Sequence, residues 1–367
     1  MTRAILLWLG MWTAIVQILA AQEANSGFDL RSTLSAQDAV SNLSTDPPRS
    51  ASPETAGFRA VFYPVWKLSD HWSVSGAWQL YSRPYFFEDL STVGYGANGN
   101  LLQATLNYAR VSDKGSFQVR AGQLTTAFGS FPLHYDDAVN ILVDLPLEYG
   151  YYGTPVSPLG IGAVEVDATR GKWDGRAQFA NSSPANPQSL FGRDQYGNWA
   201  GGGGFTVRQG FRIGVSGYRG PFLDRSNDGY VTAGSYDAAA KPSKWPAHGL
   251  GLDVQWARGH WTLQGELQRF VLPYYPWTTT HREQAGYAEM KRTLAPRWYI
   301  AARGGYTHAN EGGDVQSLET AAGFRPDSFQ LIKIDYEYEH MSMGEYRNSN
   351  TLAFQVVTTL HFSAAQR

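Results

Sequence analysis

Cysteine is absent from the 367 residues, which excludes a disulfide framework, a thiolate metal site and a cysteine nucleophile. Charge is scarce as well. Asp, Glu, Lys and Arg make up 17% of the chain, against roughly 25% in an average soluble domain. There is no basic excess, with Lys+Arg 30 against Asp+Glu 32 and a formal charge of −2; a nucleic-acid partner normally leaves an electropositive footprint. Beyond residue 21, no run approaches the ~18 continuous apolar residues of a spanning helix. What the chain does contain is 14% aromatic residues and 39 glycines, at a mean hydropathy of −0.34. Disordered chains carry few aromatics, and helical membrane proteins are more apolar. Strands that are apolar on one face and polar on the other, wrapped around water, satisfy all of these conditions.

The N-terminus has its own pattern. Met1 to Arg3 give a short basic start, Ala4 to Leu19 are largely apolar, and Ala20-Ala21 precede the polar Gln22-Glu23. This is the layout of a secretory signal peptide over 1–21, leaving 22–367 as the exported protein. An uncleaved anchor helix is the alternative.

From Gly27 onward the dominant period is two. Trp72, Val74, Gly76, Trp78 and Leu80 alternate with Ser73, Ser75, Ala77 and Gln79. Ile332, Ile334, Tyr336 and Tyr338 alternate with Lys333, Asp335, Glu337 and Glu339. About sixteen such segments are predicted, near 27–41, 54–68, 71–83, 99–112, 115–126, 160–171, 173–182, 199–208, 210–220, 247–258, 260–271, 282–292, 296–308, 316–325, 328–340 and 350–362. Most come close to the 9–11 residues a tilted strand needs to cross a bilayer. Their connections alternate short and long. Ser69-Asp70, Asp113-Lys114, Gln209-Gly210 and Pro326-Asp327 sit in short links, while 42–53, 84–98, 127–159, 183–198 and 221–246 are long. Membrane barrels sort their loops in this way, with short periplasmic turns and longer outside loops. The fold predicted is therefore all-β, a transmembrane antiparallel barrel.

This architecture resembles that of bacterial outer-membrane porins. The final strand adds to the likeness: Leu352, Phe354, Val356, Thr358, Leu360 and Phe362 form one outward row ending in an aromatic, similar to the signal read by the barrel-assembly machinery. The tail Ser363 to Arg367 departs from that pattern, because the family usually ends on the aromatic. Gly122 to Gly129 resembles the strand end and loop start of phosphate- and pyrophosphate-selective porins. The resemblance implies a Gram-negative outer-membrane protein in contact with lipid and lipopolysaccharide, passive diffusion of small hydrophilic solutes, no cofactor, and a possible homotrimer.

General porins fold their third outside loop into the barrel, and the segment 127–159 holds that ordinal position here. It carries Asp136, Asp137, Asp144 and Glu148 and no Lys or Arg, and Asp136 to Val143 reads as the start of a short helix. An outside lid and a cover for a neighbouring subunit are the alternatives to insertion. Parity places Arg59, Arg120 and Arg176 on the lumen side with Glu165 and Asp167, along with Arg303, Lys333, Glu266, Glu319 and Asp335. Charge facing lipid at mid-depth costs about 2–4 kcal/mol, so these residues belong to a wet wall. A transverse field between Arg59, Arg120 and Arg176 and the acidic loop is expected. With both signs on the wall, no ion selectivity follows.

The tryptophans at 66, 72, 173, 256, 261 and 298 lie near strand ends, where an indole keeps its ring in lipid and its N–H in water. Tyr81, Tyr218 and Tyr299 are lumenal candidates for solute contact. Asp224 to Gly229 resembles half of a calcium loop, but position twelve is Ser235 rather than glutamate. His340-Met341-Ser342 resembles the His-x-Ser motif of outer-membrane lipases without its polar sequel, and His308 has no such serine. A structural or adhesion barrel and a lipid-modifying enzyme are the rival functions.

Overall fold

The period-two segments pair with their sequence neighbours, and the last returns to the first. The computed structural model describes residues 27–42, 54–87, 96–150, 155–157, 159–187, 196–222, 246–273, 280–310, 313–342 and 348–365. Sixteen strands run in chain order: β1 (Gly27–Ser41), β2 (Glu54–Lys67), β3 (Trp72–Arg83), β4 (Gly96–Ser112), β5 (Gly115–Leu124), β6 (Ile161–Arg170), β7 (Trp173–Ala180), β8 (Asn198–Arg208), β9 (Phe211–Pro221), β10 (Pro246–Arg258), β11 (Trp261–Leu272), β12 (His281–Ala295), β13 (Trp298–Ala309), β14 (Gly313–Phe324), β15 (Gln330–Met341) and β16 (Asn348–Ala365). They form one closed antiparallel barrel. Residues 1–21, expected from the sequence to be a signal peptide, and the Asp224–Gly229 segment lie outside the described residues.

Closure is made by β1 and β16, paired from Gly27↔Ala365 to Ser41↔Thr351. The strand therefore continues past Phe362, where the predicted segment ends, to Ala365. Ser363, Ala364 and Ala365 zip against Asp29, Phe28 and Gly27, because an unpaired end of β1 would leave its backbone groups without partners. Backbone proximity also fixes one residue type: Gly122 in β5 has φ +134°, and a Cβ there would overlap the carbonyl oxygen of Ala104 in β4.

Alternation sorts the side chains as expected. Leu250, Leu252, Leu267, Val215, Val164, Phe354 and Phe362 are exposed on the outside. Trp66, Trp72, Trp173 and Trp298 are exposed near the short-turn end, and Trp298 stacks on Phe324 with ring centroids 4.3 Å apart. The opposite parity carries Arg59, Gln79, Gln178, Glu266, Arg303, Lys333 and Gln355, all buried. No described helix is long and apolar enough to cross a membrane, and the apolar outer band belongs to strands.

That band can be tested at mid-strand. Val215→Arg should lower the unfolding free energy of the protein in vesicles by roughly 2–4 kcal/mol, the cost of a midplane cation. Urea titration followed by tryptophan fluorescence reads it, and an unchanged midpoint would place this face away from lipid.

Candidate functional site: a loop bound across the lumen

The segment after β5 turns inward and fastens to the wall at four places. At the first, Gln178 of β7 donates to the Thr125 carbonyl (2.9 Å) and accepts the Ala127 N–H (3.2 Å). Arg176 donates to the Gly129 carbonyl, and Ser216 of β9 accepts the Gly129 N–H at 3.1 Å. Gly129 sits at φ +74°, and a Cβ there would overlap the Tyr149 hydroxyl.

The second anchor is Glu266 of β11. Its carboxylate accepts the N–H of Ser130 (3.1 Å) and of Phe131 (2.8 Å), and the hydroxyls of Ser130 (2.9 Å), Tyr149 (2.8 Å) and Tyr287 (3.0 Å). One wall carboxylate thus ties together the outgoing and returning arms of the loop.

The chain then crosses to β1 and β2. Arg59 Nη1 donates to Asp137 at 2.8 Å and to the Tyr135 carbonyl at 3.1 Å, and its guanidinium lies 4.2 Å from the centroid of the Tyr135 ring. Ser35 (2.7 Å) and Tyr85 (2.8 Å) complete the Asp137 shell, while Tyr63 donates to Asp136. The fourth anchor spans β13 to β15. Lys333 donates to the Leu142 carbonyl (2.8 Å), Asp335 accepts the Val143 N–H (3.1 Å), and Glu319 accepts the Asp144 N–H (3.0 Å). Arg303 donates to the Asp144 carbonyl (2.9 Å) and to the Asn140 side chain (3.1 Å), and is itself held by Glu289 and Glu319.

The helix expected from Asp136 does not form. One turn closes, with the N–H groups of Val139 and Asn140 donating to the Asp136 carbonyl, and a short 3₁₀ turn occupies Phe131–His134. The backbone N–H groups of Val143 and Asp144, which a helix would use internally, go to wall carboxylates instead. Tertiary hydrogen bonds of charged acceptors outcompete a weak local propensity.

Arg59, Gln79, Gln178, Arg303, Lys333 and Gln355 lie on strands spread around the barrel, yet each is under 2% exposed. Phe128, Phe131, Tyr135, Leu145 and Tyr149 of the loop join Phe86, Tyr81, Tyr218, Phe270 and Tyr287 in one buried apolar cluster inside the barrel. Tyr81 and Tyr218 thus pack on this filling, and Tyr299 donates to the Ile141 carbonyl at 3.0 Å. At this level the loop and the residues 84–87 pack against lumen-facing side chains from strands around the bore.

The charges proposed for the constriction separate into different roles. Arg59 meets an acid of the loop in direct contact, and Arg176 meets a loop carbonyl. Arg120 stays on the wall, paired with Glu165 and with Asp167 at 3.2 Å. Asp144 engages the wall through its backbone, and its Oδ1 accepts the Phe87 N–H at 3.3 Å. Glu266, Arg303, Lys333, Glu319 and Asp335 were visible as lumen-facing charges, but alternation alone does not say which of them meet the loop. Tyr85 and Phe86 had no signal beyond lying in a long connection.

Two loop carboxyls have opposite electrostatics. Burial works against ionised Asp137, but Arg59 and Lys333, with hydrogen bonds from Ser35 and Tyr85, hold it below the usual carboxylate range. Glu148 is fully buried, and neither carboxyl oxygen has a hydrogen-bond partner. Burial first, and then the neighbouring Glu266, push it well above that range.

A closed barrel with an apolar exterior and a polar loop bound through its lumen is a transmembrane barrel of the outer-membrane type. No family model matches the chain, and no curated protein sequence matches it. Solved structures do. An OmpF of Salmonella typhi in complex with daunomycin superposes with a TM-score of 0.62 at 10% identity, covering 92% of this chain and 98% of that one. The outer-membrane channel DcaP of Acinetobacter baumannii gives 0.59 at 9% identity over 92% and 98%. An anion-selective porin from Comamonas acidovorans gives 0.57 at 8% identity over 91% and 100%. The chain has the fold of Gram-negative outer-membrane porins.

The two carboxyls set the pH dependence of the seal with opposite signs. Asp137, depressed when bound, holds the loop above its ordinary value and lets go as pH falls. Glu148, raised when buried, leaves the seal at full strength below its ordinary value and weakens it as pH rises toward the raised one. Protection of the Phe131, Val143 and Asp144 amides, relative to their intrinsic exchange at each pH, should therefore be greatest in the acidic window between the two ordinary carboxylate values. Glu148→Gln should extend protection to neutral pH; a flat profile in the wild type would remove both carboxyls from the seal.

Proposed function

We propose that the protein is an outer-membrane porin that passes small hydrophilic solutes by passive diffusion, with 127–159 as the constriction that sets their access. The observation that carries this is the loop's attachment to lumen-facing side chains of β1, β2, β7, β9, β11, β13, β14 and β15. On the short-turn side the wall also keeps Arg120, Asp167, Asp174 and Arg212 partly open to water. The partners on this reading are the barrel-assembly machinery during insertion, and outer-membrane lipid and lipopolysaccharide afterwards. A homotrimer is in keeping with the trimer form of OmpT from Vibrio cholerae, which matches at a TM-score of 0.56 and 13% identity, over 91% of this chain and 99% of that one.

The loop's burial against wall side chains from strands around the bore favours a second reading, a non-conducting barrel, and the same experiment separates the two. An enzyme is disfavoured by geometry. Ser342 Oγ accepts the Asp314 N–H, His340 lies against Asn348, and His308 pairs with Asp314. No serine–histidine hydrogen bond occurs among these residues, and a hydroxyl nucleophile needs one.

Single-channel recording in planar bilayers should show brief, small openings for the wild type and larger, longer ones when 130–147 is replaced by a short glycine-serine link. Arg59→Ala leaves the buried Asp137 without its ion-pair partner, at a cost of roughly 3–5 kcal/mol to the closed loop, and should shift the channel toward the open level. Correctly folded protein that stays silent in all three forms would establish the non-conducting barrel.

A further inference from the structure

The outer face of β9 to β12 carries a feature that solute passage does not use. At the long-loop ends of these strands, Arg219, His248, Arg269 and Arg282 all point outward and are exposed. The register makes them neighbours. Arg219 stands opposite His248, Arg269 opposite both Leu250 and Gln284, and Arg282 opposite Val271. No ion pair among the described residues engages these three arginines. At the same end of β1 and β2 the outward positions are acidic, Asp38 and Glu54. Among the described residues, the outward arginines of this rim are thus gathered on one sector.

Beneath them the wall is hollowed. A groove of about 640 Å³ is lined by Trp199, Gly201, Gly217, Arg219, His248 and Leu250. Gly201 and Gly217 form its floor. Trp199 and Leu250, 64% and 65% exposed, form its sides, and the Trp199 ring is braced by Phe179 at 4.8 Å. Below the cations, Leu252, Leu267 and Val215 continue an apolar surface toward mid-strand.

We infer that this groove and its row of cations form a binding site for a lipid whose headgroup carries two phosphates. The inference rests on the outer-membrane placement proposed above, though not on conduction. Adjacent strands lie ~4.8 Å apart, which spreads the cations of β9 to β12 over about 14 Å. A single phosphate reaches one or two of them, and a headgroup with two separated phosphates reaches the row. Arginine suits this role because its planar fork meets phosphate oxygens with paired hydrogen bonds. His248, between Arg219 and Arg269, adds a ring N–H donor. An acyl chain descending from the headgroup enters the glycine-floored groove, where a side chain at position 201 or 217 would exclude it. A cation at the headgroup level costs little in the membrane, and one matched to phosphate gains in return.

Native mass spectrometry of the detergent-solubilised barrel tests the site directly, whether or not the protein conducts. The probes are bis-phosphorylated lipid A, its monophosphoryl form and phosphatidylglycerol. Wild type should retain the bis-phosphorylated lipid preferentially. Arg219→Gln/Arg269→Gln should lose about tenfold in retention, on the order of 1.4 kcal/mol. Gly217→Leu should lose the same lipid by filling the groove with every charge kept. Arg170→Gln/Arg258→Gln, which removes two exposed cations from the short-turn end, should change nothing. Equal retention by wild type and the Arg219/Arg269 variant overturns the site. So does phosphatidylglycerol competing as well as the bis-phosphate, or the Arg170/Arg258 variant losing as much, since either would mean attraction by charge alone.

Discussion

Hydrocarbon offers no hydrogen-bond partner to a peptide group, and the rest of this molecule follows from that constraint. Every N–H and C=O at membrane depth must be answered by protein, which an open sheet cannot do and a closed one can. Joining β1 to β16 is therefore the decisive contact. It draws Ser363 to Ala365 into strand and sets one parity around the whole ring. That parity in turn sends Leu, Val and Trp outward and gathers the arginines and carboxylates inside.

An irregular loop at membrane depth is admissible only where its backbone is answered by something other than lipid. The loop after β5 meets that condition like a ligand in a receptor. Wall carboxylates, Glu266, Glu319 and Asp335, accept its N–H groups, and wall cations, Arg59, Arg176, Arg303 and Lys333, donate to its carbonyls. Charges of both signs on the wall thus have a structural use before any role toward solute. Most of the wall charge is engaged by the loop or by neighbouring wall residues: Arg212 joins Asp174 to Asp253, and Arg303 joins Glu289 to Glu319. The near-zero net charge of the chain is consistent with this internal pairing and does not describe the bore.

The strands were legible because each carries its own period. The predicted 27–41 coincides with β1, and the ends of most others shift by only a few residues. The C-terminal end moves by three residues, as do ends of β4, β12 and β14, and there it is decided by the partner strand and not by the pattern of β16 itself. Inside the lumen, alternation identified the wall charges but not their partners. Arg120 and Arg59 have the same parity on neighbouring parts of the wall, yet one is paired with Glu165 and the other with Asp137 of the loop. That difference depends on the path of an aperiodic segment, which local sequence does not encode. The missing helix at Asp136 has the same origin, since its N–H groups are claimed by residues nearly two hundred positions away.

The seal is firm in geometry and modest in free energy. Each of its hydrogen bonds replaces one that wall and loop would make to water, so the net gain per bond is about 0.5–1.5 kcal/mol, somewhat more where a charge takes part. Burial of the aromatic cluster, through Phe128, Phe131 and Tyr149, stabilises the closed loop further by removing apolar surface from water. Against these stands Glu148, whose carboxyl gains no partner on burial. The barrel itself depends on none of these contacts, because its ladder of backbone bonds closes without the loop. Release of the loop therefore costs only the difference between protein and water contacts inside an intact wall. A structure that separates the membrane-spanning ring from the bound loop in this way keeps the closure of the barrel independent of the loop's contacts.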